Sequence, residues 1–372
     1  MIRVLHVVGS MNRGGIETFI MNVYRNIDRT KVQFDFAVHS TKVSAYDEEI
    51  KSLGGKIYYI TPRTKNIFQH YRDWIKLFKH KKQIEIIHQH VSSLTYVNPL
   101  KIASWFNIKT RIVHAHSTEA ESKIHFLLHK FNSKMIHKYA NTYFSCSDKA
   151  SNWLFQDSKI NTNDITIIKN GINLISFKYD NKIRRNLREK LNLNENFVIG
   201  HVGRFSNVKN HKFVIDIFSD FNSKVNKSKL LLIGTGELEY EVKEYVKIKG
   251  LGSDVIFLGS IPNVGEYMQV MDSFVFPSLY EGLGMVLVEA QASGLTCFTS
   301  EGVVPTEANV TGRINYLPLE LGAESWSENI INKVYNKSPK RDQVFKKELS
   351  QYDIKDVAFR LQEYYLTKSN LI

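Results

Sequence analysis

The chain has 372 residues, 43% hydrophobic and 23% charged. That balance excludes a disordered chain and favours two domains over one. Its two cysteines, Cys146 and Cys297, stand far apart with no partners at metal-ligand spacing. This excludes a disulfide framework and fits a reduced, cytosolic setting. The net charge of +13 is concentrated in one half. Residues 1–180 carry 26 Lys+Arg against 14 Asp+Glu, whereas residues 181–372 carry 24 against 23. Such asymmetry suggests that the first half meets something anionic, either nucleic acid or an acidic membrane surface. A Lys- and Asn-rich background composition is the plain alternative. The first apolar run, Val4 to Gly9, is too short for a signal peptide, and no run approaches the length of a membrane span.

Ile2 to Val8 is a continuous apolar run of the kind buried on both faces of a parallel sheet. A loop with paired glycines, Gly14 and Gly15, follows, then a helix from about Glu17 to Asn26. Neither a dinucleotide fingerprint nor a P-loop is present. Strand–glycine–helix is still a geometry that accepts phosphate. Strands at 34–38, 56–60, 84–90, 110–115 and 143–147 then alternate with helical segments. This alternation predicts an open, doubly wound sheet with ligands at the carboxyl ends of its strands.

Two stretches of the first half mix basic and apolar residues. One runs over residues 63–82, with Phe68, Tyr71, Trp74, Ile75 and Phe78 among Arg63, Lys65, Arg72, Lys76, Lys79, Lys81 and Lys82. The other runs over residues 123–138, with Phe126, Leu127, Leu128, Phe131, Met135 and Ile136. Basic amphipathic helices lie readily on anionic lipid, which favours peripheral membrane contact over core packing with a solvated face. Further on, His114 and His116 share one face of a strand or its exit. Zinc would need a third ligand, and the sequence places none obviously.

Asn170-Gly171 is turn chemistry, and the polar stretch after it reads as a connector, so a boundary falls near 175. The strand–loop–helix pattern then restarts. Phe197 to Val202 leads to Gly203-Arg204 and on to Lys209; an Arg fork and a Lys point charge suit phosphate oxygens. Gly234 and Gly236 follow the strand ending at Ile233, and Ile261 lies in the loop after the next. Phe274 to Phe276 precedes Glu281, Gly282, Leu283, Gly284, Met285 and Val286, and a helix carries Glu289. The glycines free the backbone and the helix start offers N–H groups. Two carboxylates eight residues apart can each accept from neighbouring ring hydroxyls. A loop glutamate plus a solvated helix glutamate is the plain alternative.

The Glu281-to-Glu289 spacing with Gly-Leu-Gly between resembles the signature of the retaining glycosyltransferase family 4, in the style of bacterial capsular and exopolysaccharide enzymes. "GRF…K" at 203–209 resembles its diphosphate motif. The resemblance implies the GT-B fold, α/β with two Rossmann-like doubly wound domains facing across a cleft. Residues 1–175 would form the acceptor side and 176–354 the nucleotide-sugar side, with a last helix at about 355–372 crossing back. It implies catalytic roles for His116 and Glu281. Gly14, Gly15, Arg204, Lys209, Gly234, Gly236, Ile261, Gly282, Leu283, Gly284, Met285, Val286 and Glu289 would bind the donor. It implies no cofactor and no metal, a nucleotide-sugar donor (UDP before GDP), and a lipid-linked or oligosaccharide acceptor at the inner face of the cell membrane. A non-hydrolysing nucleotide-sugar epimerase of the same fold is one rival; a non-catalytic nucleic-acid binder, suggested by charge alone, is the other.

Overall fold

A computed structural model describes residues 1–372 except Arg13, Thr41, Lys82, 118–121, 342–346 and 370–372. Arg13 of the first loop, Lys82 of the first basic stretch and the end of the last helical segment therefore lie outside the described residues. The chain forms two compact units, Met1–Ile172 with Gln351–Ile372, and Asn173–Ser350.

The first unit is built on seven parallel strands: β1 (Ile2–Val8), β2 (Val32–Val38), β3 (Ile57–Tyr59), β4 (Ile84–Val91), β5 (Thr110–Ala115), β6 (Thr142–Ser145) and β7 (Ile165–Ile167), in the order β3-β2-β1-β4-β5-β6-β7. The near-continuous apolar runs follow from burial on both faces. On one face Val4, Phe34, Phe36, Ile86 and Phe144 pack under helix Gly15–Asn26. On the other Leu5, Val7, Ile87 and Val113 meet Trp74, Leu77 and Phe78 of helix Ile67–His80. The apolar side of that basic helix is thus spent mainly on the core, although Ile67, Phe68 and Ile75 stay outside.

The second basic stretch behaves differently. It breaks into helices Lys123–Ser133 and Ile136–Tyr139. The longer piece buries His129 and Ser133 and leaves Ile124, Leu127 and Phe131 about 70% exposed (70%, 67% and 69%). No helix among the described residues is long and apolar enough to cross a membrane.

The last helix, Ile354–Lys368, joins the first unit. Asp353 caps its start by accepting from Lys355 N at 3.0 Å, and Ile172 pairs with Asp353 just before it. Ile354, Val357 and Leu361 enter the same core as β1 and β2, each contributing about 1.5–3 kcal/mol by burial.

The second unit carries six parallel strands: β8 (Phe197–Val202), β9 (Ser228–Ile233), β10 (Val255–Phe257), β11 (Ser273–Phe276), β12 (Thr296–Ser300) and β13 (Ile314–Leu317), ordered β10-β9-β8-β11-β12-β13. From β8 the chain builds outward in one direction to β10, then returns to β11 on the other side. The gap between β8 and β11 is therefore a switch point, where loops diverge at the carboxyl ends and leave a crevice. In the first unit the equivalent gap lies between β1 and β4.

Candidate active site

At the second unit's switch point the structure brings together residues that lie more than seventy positions apart in sequence. The loop after β8 leads through a short 3-10 turn, Asn207–Lys209, into helix His211–Lys224. The loop after β11 leads into helix Met285–Ala292. Leu279 N donates to Val208 O at 2.8 Å, and Asn210 Nδ2 donates to Pro277 O at 3.2 Å, so one backbone and one side-chain hydrogen bond stitch the two loops. Between them Lys209 Nζ donates to the Glu281 carboxylate and lies 4.7 Å from the centre of the Phe276 ring. Glu281 is buried and the Lys209 side chain largely so. The Lys read as a phosphate ligand and the Glu read as a sugar ligand are direct partners.

Gly284 adopts φ +74° at the start of the Met285–Ala292 helix, a left-handed conformation that costs a glycine little. No side chain caps this start, and Leu287 N donates to Gly284 O at 2.8 Å, so Met285 and Val286 stand at the front of the helix without a side-chain cap. Gly282, Met285 and Val286 around it are half-buried, and Leu283 is buried. Glu289, one turn in, is half-buried and its carboxylate makes no hydrogen bond or ion pair among the described residues. Burial pushes its pKa up to about 7.

Arg204 is exposed, its Nε donating to Glu237 Oε2 at 3.0 Å. A pair this open holds its partners weakly and leaves the guanidinium free to turn to a better anion. Gly234 and Gly236 have a different use. Phe205 N donates to Thr235 O at 3.1 Å and Leu238 N to Phe205 O at 3.0 Å, which laces the loop after β9 to the loop after β8. A Cβ on Gly234 would clash with Gly203 O, and one on Gly236 with Phe205 O. The observed work of both glycines is close backbone packing that fixes the loop bearing Arg204. Ile261, half-buried, lies beyond Gly259, whose carbonyl accepts from Gly234 N at 2.9 Å.

In the first unit, Gly14 precedes helix Gly15–Asn26 and Glu17 folds back over it, close enough that a Cβ on Gly14 would strike the Glu17 carboxylate. His116 sits just past β5, half-buried, and His114 is fully buried within the strand. They are not alone. His6 of β1 and His88 and His90 of β4 lie on the same face. His6 Nδ1 is 2.9 Å from His90 Nε2, and His90 Nδ1 is 2.9 Å from His116 Nε2. His88 Nε2 is 3.1 Å from His114 Nδ1, and its Nδ1 is 2.8 Å from the hydroxyl of Tyr365.

Sequence reasoning placed no third nitrogen near His114 and His116, and here the structure corrects it, because β4 is the hydrogen-bonded neighbour of β5. The signal was present: His88 and His90 repeat the i, i+2 spacing of His114 and His116, and His6 stands mid-strand. Two groups of three, His6/His88/His90 and His90/His114/His116, have nitrogens within 4.8 Å of one another. The short contacts are spent ring to ring, however, and burial lowers all five pKa values; His6 and His116 fall to about 3. A neutral ring carries one N–H and one acceptor, so His90 must donate to one neighbour and accept from the other.

Comparison with known proteins bears on both units. The family described as "Glycosyltransferase Family 4" matches residues 13–175, and "Glycosyl transferases group 1" matches residues 183–349. The chain is 34% identical over 348 residues to the putative glycosyltransferase EpsF of Bacillus subtilis, covering 91% of this chain and 90% of that one. It is 26% identical over 380 residues to the capsular polysaccharide biosynthesis glycosyltransferase CapH of Staphylococcus aureus, covering 99% and 100%. Among solved structures, Anabaena HepE in complex with UDP superposes with a TM-score of 0.77 at 17% identity, over 99% of this chain and 100% of that one.

Proposed function

Because this chain belongs to the family 4 and group 1 glycosyltransferases, of GT-B fold, we propose that it moves a sugar from a nucleotide sugar, UDP-linked, to a lipid-linked saccharide during capsular or exopolysaccharide assembly, with retention at the anomeric carbon. The observation that carries this reading is the Lys209–Glu281 pair at the β8/β11 switch point, with Arg204 on the loop after β8, a helix start without a side-chain cap, and Glu289 without a partner among the described residues. Supporting it are its relatives, one of them a capsular polysaccharide biosynthesis glycosyltransferase, and a structural neighbour solved in complex with UDP.

On this reading Lys209 and Arg204 carry the negative charge that grows on the diphosphate as it departs, and the helix start adds its N–H groups. Glu289 accepts from the ribose hydroxyls. Glu281 holds the donor sugar. The bond from the anomeric carbon to the diphosphate oxygen breaks, and its electron pair leaves with the phosphate. The acceptor hydroxyl bonds to the same face of that carbon, and its proton passes to the departing phosphate oxygen. Two fixed cations and a helix start then serve where other enzymes use a divalent metal.

The acceptor's lipid places the enzyme at the cytoplasmic face of the membrane. Helix Lys123–Ser133 supports this, with Ile124, Leu127 and Phe131 outside and Lys123, Lys130 and Lys134 beside them. The test of the whole reading is Glu281→Ala: transfer should be lost while UDP still raises the thermal midpoint. Full turnover in that variant would refute the assignment.

A further inference from the structure

The carboxyl ends of β1 and β4 part around a second feature, a cavity of about 140 Å3 wholly within the first unit. Val7, Gly9, His39, Gln89, Val91 and Tyr96 are among its walls; among the described residues no Asp, Glu, Lys or Arg lines it, and the Arg63 guanidinium lies 5.3 Å from the centre of the Tyr96 ring. Burial pushes the His39 imidazole down to about 4, so the lining is neutral at physiological pH.

Two polar atoms of this lining have no hydrogen-bond partner among the described residues: Gln89 Oε1 and His39 Nε2. Gln89 is 2% exposed, and its amide nitrogen is already committed to Tyr96 O at 2.7 Å, which fixes the orientation of its oxygen. The Tyr96 hydroxyl is equally committed. It accepts from Trp74 Nε1 at 2.9 Å and lies 2.6 Å from His70 Nε2. His70 Nδ1 lies 2.7 Å from the Thr61 carbonyl, so that nitrogen carries the proton and Nε2 accepts from Tyr96. What remains for a ligand is one acceptor, one ring nitrogen of His39 and a wall of valine methyls.

We propose that this cavity is a subsite for the acetamido group of an N-acetylated sugar on the acceptor. The amide N–H donates to Gln89 Oε1, the carbonyl accepts from His39 Nε2–H, and the methyl packs on Val7 and Val91. A bare hydroxyl would leave the valine wall without an apolar partner. The assignment rests on the reading of the first unit as the acceptor side.

The test uses the full chain with methyl N-acetylglucosaminide and methyl glucoside as probes, followed by saturation-transfer NMR without donor. The N-acetyl methyl should receive the strongest transfer. Gly9→Ala, at a cavity-lining position where an added Cβ meets no atom within 4 Å, should weaken it. Gln89→Leu should weaken it as well, but that variant also loses its bond to Tyr96, so Gly9→Ala is the deciding one. In turnover, an N-acetylglucosaminyl acceptor should exceed its glucosyl counterpart by about 10-fold or more in kcat/KM, and the ratio should collapse in Gly9→Ala. Equal binding of the two glycosides, or a preference that survives Gly9→Ala, would overturn the proposal. Because the NMR needs no nucleotide, that outcome is separable from failure of the donor assignment, which a lack of stabilisation by UDP would reveal.

Discussion

The two switch points of this molecule use the same topology for opposite chemistry. Between β8 and β11 the crevice is charged: Lys209 against Glu281, Arg204 against Glu237, and Glu289 without a partner among the described residues. Between β1 and β4 the lining among the described residues is uncharged: histidines with lowered pKa values, a glutamine and valines, with Arg63 beside Tyr96. Diverging loops supply only space. A leaving diphosphate needs fixed countercharge, and a neutral saccharide needs oriented donors and acceptors without it. The difference lies in which side chains the strand ends carry.

The sharpest way to break this comparison is to neutralise the charged crevice. Lys209→Met should lower kcat by about 10²–10³-fold, the usual cost of removing one group that stabilises developing charge. It should also destabilise the fold, because Glu281 is left buried without its cation. Lys209→Met with Glu281→Gln should recover the stability and none of the turnover. If the double variant stays as unstable as the single one, the pair is not the unit argued here. Paired melting curves and single-turnover rates measure both quantities.

Next in size is the loop scaffold beneath Arg204. Gly234→Ala combines an unfavourable φ of +138° with a clash against Gly203 O. It should cost about 2–4 kcal/mol. That lowers the thermal midpoint by about 5–15 °C in a unit of this size. Gly252→Ala, where a Cβ meets nothing within 4 Å, is the matched control and should change little.

These positions also show what could be read before any fold was known. The alternation of apolar runs with helical patterns gave two parallel sheets because each run is buried on both sides. The second unit's motifs were legible because each sits directly at a strand end, where local sequence dictates loop and helix start. The ion pair between Lys209 and Glu281 was not legible, since pairing across a switch point depends on strand order. The histidine array was hidden for the same reason: His6, His90 and His116 are neighbours only once β1, β4 and β5 lie side by side. The two basic stretches looked alike in sequence. Only packing separates Ile67–His80, with Trp74, Leu77 and Phe78 buried, from Lys123–Ser133.

That contrast yields a smaller prediction. Ile124→Ser, Leu127→Ser and Phe131→Ser together should reduce binding to anionic vesicles by about 10–100-fold, with little effect on stability, since those side chains bury little in the fold. Trp74→Ala should do the reverse, costing about 3–5 kcal/mol of stability because Trp74 is fully buried. Flotation on anionic and neutral vesicles, with circular dichroism alongside, separates the two. Equal flotation of the triple variant and the parent would remove the helix from the membrane argument.

The smallest effect is the most specific to the charged crevice. Burial raises the folded pKa of Glu289 to about 7, above its ordinary value of 4.5. The folded protein therefore binds this proton more tightly than the unfolded chain does. The sign follows: the associated stability is present below the unfolded value and is lost as pH rises through about 7. A ribose hydroxyl donating to the carboxylate favours the ionised form and works against that loss. UDP affinity should thus rise a few-fold between pH 5.5 and 8, with proton release on binding near neutrality, and Glu289→Gln should flatten the profile. Titration calorimetry in two buffers of different ionisation enthalpy counts the proton directly. A pH dependence unchanged by Glu289→Gln would assign it instead to ionisation of the nucleotide's own phosphate, and Glu289 would then be a buried acid with no part in holding the donor.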